Sequence, residues 1–155
     1  MEYVTGRHTD RQSSRFLMKP VMQTKFTTVD QSVHGNCLAA CLASLLEVPL
    51  EQVPALEDMG TEWFGVMYEF LNQHGYDYLG TKYTGPSLNP FWWEFLLEAQ
   101  PGVNGYFIVG GKSPREWVTR GHAVIYKDGA MVHDPHPSNA GLTEVEHVML
   151  IRRKV

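Results

Sequence analysis

From Asn36 onward apolar residues recur every three or four positions, at Leu38, Cys41, Leu42, Leu45 and Leu46. That spacing predicts an amphipathic helix with Asn36 as N-cap and Cys37 as its first residue. The segment Glu47-Val-Pro-Leu-Glu-Gln-Val-Pro54 stops it and predicts one short helical turn beginning at Pro49. A second helix follows, with Trp63, Val66, Met67, Phe70 and Leu71 on one face and Gly75 just past its C-terminus. Asn89 as N-cap and Pro90 at the first helical position predict a third, running to Gln100. The last third of the chain changes period: β-branched and aromatic residues crowd 105–110, 122–126, 130–133 and 146–152, and 76–79 is a candidate for one more strand. Helices first and an antiparallel sheet afterwards make an α+β layout.

At 155 residues, 43% of them apolar, the chain fits one domain with a sizeable core. Residues 1–21 are polar and aperiodic, so they read as a flexible arm or an extension, and the folded domain is expected over 22–155. Phe26 and Val29 are candidate anchors for the extended segment that follows. A net charge of -4, with no basic stripe after residue 21, argues against nucleic acid as a partner. Cys37 and Cys41 stand one helical turn apart, a poor geometry for a disulfide, and free thiols point to the cytosol. No apolar run approaches the roughly 18 residues that span a bilayer, so no membrane partner is expected.

The candidate chemistry starts at Gln31-Ser-Val-His-Gly-Asn-Cys37, where a glutamine stands six residues before a cysteine at a helix start. Unpaired N–H groups and the helix dipole favour the thiolate, the reactive form of cysteine. His122 is the candidate base: an imidazole beside the thiol takes its proton and later protonates the leaving group. Asp134 is the candidate for holding that imidazole in one orientation and tautomer. Attack on an amide carbonyl creates an oxyanion, for which the Cys37 backbone N–H and the Gln31 side-chain amide are candidate donors. Cys41, on the apolar stripe, reads as structural, and His34 as a solvent-facing loop residue. His122, Asp134, His133 and His136 together suit zinc, but no metal-binding helix motif or paired cysteine spacing accompanies them, so no metal or cofactor is expected.

The pairing of His122 with Asp134 depends on the hairpin around Lys127-Asp128-Gly129. A two-residue turn would set His122 opposite Pro135 and send Asp134 to the other face. A three-residue loop with Gly129 in the left-handed conformation would pair Tyr126 with Ala130 and set His122 opposite Asp134, so that loop is predicted. Val124, Tyr126 and Val132 would then share the face that carries the site. The polar loop from Gly110 to Gly121, which feeds into His122, is the candidate groove wall.

The residues Gln31-x5-Cys37, the Asn-Cys-Leu-Ala-Ala-Cys-Leu-Ala-Ser-Leu-Leu helix, Gly-His-Ala-Val-Ile and Val-His-Asp-Pro resemble papain-like cysteine peptidases. Among these the chain is most similar to the double-glycine leader peptidases that process bacteriocin precursors. Ser113-Pro-Arg and Asp134-Pro-His-Pro-Ser are similar to small stand-alone papain-like proteins of bacteria and phages. The resemblance implies a nucleophile helix packed on a C-terminal antiparallel sheet, with Cys37, His122 and Asp134 as the triad and Gln31 in the oxyanion hole. It implies a cysteine-dependent amide hydrolase working on a peptide or protein through a thioester. Two other readings stay open: a papain-like module that binds a peptide or protein without turnover, and acyl transfer of the transglutaminase or deamidase type.

Overall fold

The computed structural model describes residues 18–83 and 103–155. Within them, helix α1 spans Cys37–Leu46 and helix α2 Trp63–Gln73, joined by three single 3-10 turns at Leu50–Gln52, Leu56–Asp58 and Gly60–Glu62. Five strands follow: β1 Tyr76–Tyr83, β2 Tyr106–Lys112, β3 His122–Lys127, β4 Ala130–His133 and β5 Glu144–Arg153. They form one antiparallel sheet in the order β1-β5-β2-β3-β4. The α+β layout is the one the changing period predicts. The helix expected over 89–100 lies outside the described residues.

Helix α1 is the spine of the core. Every residue from Ala39 to Leu46 is buried, because β3 and the 3-10 turns at Leu50–Gln52 and Leu56–Asp58 pack against it. Leu42, Leu45, Met67, Phe70 and Leu71 of the helices pack with Ile108, Ile125 and Ile151 of the sheet. Alternate strand residues Phe107, Val109, Val124, Val148 and Leu150 form a second cluster, as the two-residue side-chain period requires. Glu47 ends α1 in the left-handed conformation, its N–H returning to the Ala43 carbonyl. Gly75, at φ 85, does the same service just past α2.

The folded domain begins earlier than the composition suggests. Lys19 N–H donates to the Ser44 carbonyl at 3.2 Å, Val21 N–H to Ser44 Oγ at 2.9 Å, and Met18 and Val21 pack against the core. Residues 18–21 therefore belong to the domain rather than to an arm. Val29, offered as an anchor, is 75% exposed.

The hairpin corrects the predicted register. Lys127 pairs with Ala130, so the loop has two residues, and Asp128 and Gly129 sit at φ 54 and φ 82, the signs a type I′ turn needs. The three-residue loop is absent. A bulge rescues the arrangement instead: Tyr126 pairs with Met131 but Ile125 with His133, leaving Val132 as an extra residue. One added residue restores the parity that the short turn loses, so Asp134 returns to the side of the strand pair that carries Val124 and His122. Val132 itself is 47% exposed, and Met131 takes the inward place beside Val124 and Tyr126. Deleting Val132 should therefore leave a cooperatively folded protein, its melting temperature lower by only a few degrees, while separating His122 from Asp134. Circular dichroism melting together with thiol labelling checks both halves of that expectation.

Candidate active site

Cys37 opens α1 as the sequence predicts and is half-buried. Asn36 occupies the N-cap position, yet its side chain caps nothing. Its Oδ1 accepts the Thr24 and Lys25 N–H groups at 2.9 Å each, and its Nδ2 donates to Thr24 Oγ1 at 3.0 Å. The first helical bond runs from Ala40 N–H to the Asn36 carbonyl. The Cys37, Leu38 and Ala39 N–H groups are thus left without an internal partner, at the positive end of the helix and on the wall of a cavity.

His122 and Asp134 meet at the end of the sheet, one opening β3 and the other following β4. His122 Nε2 donates to Asp134 Oδ1 at 2.7 Å, and both side chains are almost fully buried. Asp134 also accepts the His136 N–H on Oδ1 at 2.9 Å and the Gly141 N–H on Oδ2 at 2.8 Å. With Nε2 committed to Asp134, Nδ1 is the ring nitrogen left for Cys37, which lines the same cavity. Burial alone would discharge this imidazole, but its bond to Asp134 and the nearby Cys37 sulfur outweigh that and raise its pKa to about 9. Burial likewise works against the Asp134 carboxylate, and the three N–H donors overcome it and hold its pKa below the ordinary value.

These shifts carry a pH dependence. The proton on His122 stabilises the fold fully below its ordinary value of 6.5, and that contribution is lost as pH rises through about 9. The Asp134 contribution is present above its ordinary 3.8 and is lost as pH falls through the lowered value. Asp134→Asn puts an amide NH2 where Asp134 now accepts N–H bonds, so it should cost about 1–3 kcal/mol in urea unfolding. It should also bring the His122 titration, read by NMR, down from about 9 toward 6.5.

Gln31 is not brought to this site. It sits at φ 64 in a turn tied by Thr28, Asp30 and Ser32, and its Nε2 donates to the Trp117 carbonyl at 2.6 Å. Gln31 is absent from the residues that line the cavity beside Cys37. Gln23 is there in its place: it is buried, lines the cavity, and is pinned from both sides. Its N–H donates to the Pro135 carbonyl at 3.0 Å, next to Asp134, and its Nε2 donates to the Lys25 carbonyl at 2.8 Å. That carbonyl also receives the Asn36 N–H at 3.3 Å. One Nε2 hydrogen remains unused. Gly35 allows this approach, because a Cβ there would lie 3.1 Å from Gln23 Nε2 and 3.3 Å from the Lys25 carbonyl oxygen.

The cavity beside Cys37 and His122 has a volume of about 710 Å³. The 113–121 loop forms one wall through Arg115, Trp117, Val118 and Arg120, whereas Gly110 and Gly111, expected in that loop, belong to β2 and line the cavity from the sheet. Trp117 Nε1 donates to the Thr27 carbonyl at 2.9 Å, so this loop and the 26–33 loop are clasped by two bonds, one from each side. On β5, Gly110 pairs with His147 but Gly111 with Val145, and the extra residue Glu146 lets Glu146 and His147 both line the cavity. A Cβ on Gly110 would collide with the His147 ring. His34, read as solvent-facing, also lines the cavity, with Nδ1 buried and unpartnered. Cys41 is fully buried, and burial pushes its thiol well up, with Cys37 and Asp134 adding to it.

No protein-family model, no curated protein and no solved structure matches this chain. Among the described residues no helix is long and apolar enough to cross a membrane.

Proposed function

We propose that the chain is a papain-like thiol hydrolase of amides, with Cys37 as nucleophile, His122 as acid and base, and Asp134 holding His122. The observation that carries this reading is one buried imidazole held by Asp134 on Nε2 at a cavity that Cys37, the first residue of α1, also lines. The proton of the thiol passes to His122 Nδ1, and the thiolate adds to the amide carbonyl. The negative oxygen so formed is met by the orphan N–H groups at the start of α1 and by the free Nε2 hydrogen of Gln23. Collapse breaks the C–N bond as His122 Nδ1–H protonates the departing amine, leaving a thioester on Cys37. Water, deprotonated by His122, then attacks the thioester; the acid leaves and the thiol recovers its proton. No cofactor enters these steps.

On this reading the acyl chain comes from a peptide or protein, for which a cavity of about 710 Å³ beside Cys37 offers room. The test is incubation with a peptide pool followed by mass spectrometry. Cleaved acids and an acyl adduct on Cys37, both missing in Cys37→Ala, are expected. Product profiles identical in the two proteins contradict the proposal.

A further inference from the structure

One corner of the cavity is built but unused by the steps above. His136 lies against the base, its ring edge-on to His122 with centroids 6.2 Å apart and edge-on to Phe26 at 5.3 Å. Ser138 N–H donates to His136 Nδ1 at 3.0 Å, which puts the His136 proton on Nε2. The same Ser138 accepts Arg115 Nη1 on its Oγ at 3.3 Å. A single serine therefore fixes an imidazole N–H donor and a guanidinium side by side, and both line the cavity. Burial, then the Arg115 charge, keep His136 below its ordinary pKa, so it remains a neutral donor.

Neither side chain meets a carboxylate among the described residues. Asp134 is already occupied by three N–H groups, and Glu57 is paired with Lys25 at 2.6 Å. Glu146 lines the cavity from β5 without an ion pair to Arg115. A guanidinium fork beside a fixed N–H matches the two oxygens of a carboxylate. The departing nitrogen must come within hydrogen-bond reach of His122, and His136 is a ring neighbour of His122 on the same cavity, within reach of what that amine carries.

We infer that Arg115 and His136 form a carboxylate-recognising corner on the leaving-group side, and that the substrates are amides whose departing amine bears a carboxylate. This rests on the thiol hydrolase reading. The carboxylate is either the free end of a peptide or an acidic side chain in the first residue after the cleaved bond.

The test uses the full chain with Cys37→Ala, so that binding is read without turnover. It is titrated with acetyl-glycyl-glycine, with acetyl-glycyl-glycinamide and with the α-amide of acetyl-glycyl-aspartate, following the His136 ring by NMR. At least one carboxylate-bearing ligand is expected to bind about tenfold more tightly than the neutral one. Which of the two does so names the source. Adding Arg115→Gln is expected to erase the preference. Equal affinities, a preference that survives Arg115→Gln, or no binding by any of the three overturns the proposal. Labelling of Cys37 in the otherwise unaltered protein is scored separately: an inert thiol beside an intact carboxylate preference refutes the hydrolase reading and leaves the corner as a binding site.

Discussion

His122→Ala is expected to lower amide turnover on the order of 10⁴-fold or more, because one side chain supplies both the base for the thiol and the acid for the leaving amine. The same change strands Asp134, buried with only two N–H donors left. Removing one member of a buried pair costs roughly 3–5 kcal/mol, so the alanine protein should also unfold at lower urea. His122→Gln separates the two effects. Its amide can still donate to Asp134, so much of the stability should return while turnover does not. A glutamine variant with near-normal turnover, measured by product mass spectrometry, would remove His122 from the chemistry.

The second large effect concerns which glutamine serves the oxyanion. Gln23→Ala is expected to reduce turnover by about 10²–10³, the loss found when one fixed oxyanion donor is deleted. Gln31→Ala is expected to cost less than about tenfold, since that residue only helps clasp the loop carrying Trp117. Binding of a substrate or product should be little changed in Gln23→Ala, because the donor acts chiefly on charge that develops in the transition state. If Gln31→Ala proves the more damaging of the two in single-turnover assays, the assignment of Gln23 is wrong.

That pair shows where the sequence could be read and where it could not. Six residues separate Gln31 from Cys37, but the spacing says nothing of the path between them. Asp30 accepts bonds from Thr28 and Ser32 and closes a tight turn, which throws Gln31 outward. Gln23 reaches the site only because the chain pairs with Pro135 and with Asn36, contacts more than a hundred and about a dozen residues apart respectively. Nothing local announces either contact. The helix carrying Cys37 was legible to the residue because its apolar spacing and Asn36 boundary are local signals. Asn36, however, spends its side chain on Thr24 and Lys25 rather than on its own helix, which no capping rule anticipates.

The hairpin teaches the same lesson about register. Asp128-Gly129 is a strong two-residue turn signal, and the chain obeys it. The meeting of His122 with Asp134 was set instead by a bulge at Val132, a residue whose sequence gives no sign of leaving the ladder. Local turn chemistry and the need to join two buried groups were both satisfied, by an extra residue on the strand rather than in the loop.

The central claim is that Cys37 is activated by His122, and intact-mass analysis after dilute iodoacetamide near neutral pH tests it most directly. One adduct, on Cys37 and not on the buried Cys41, is expected in the unaltered protein, with labelling slowed markedly by His122→Ala. Slow and equal labelling of both cysteines, or a His122→Ala protein that reacts as fast as its parent, would contradict it.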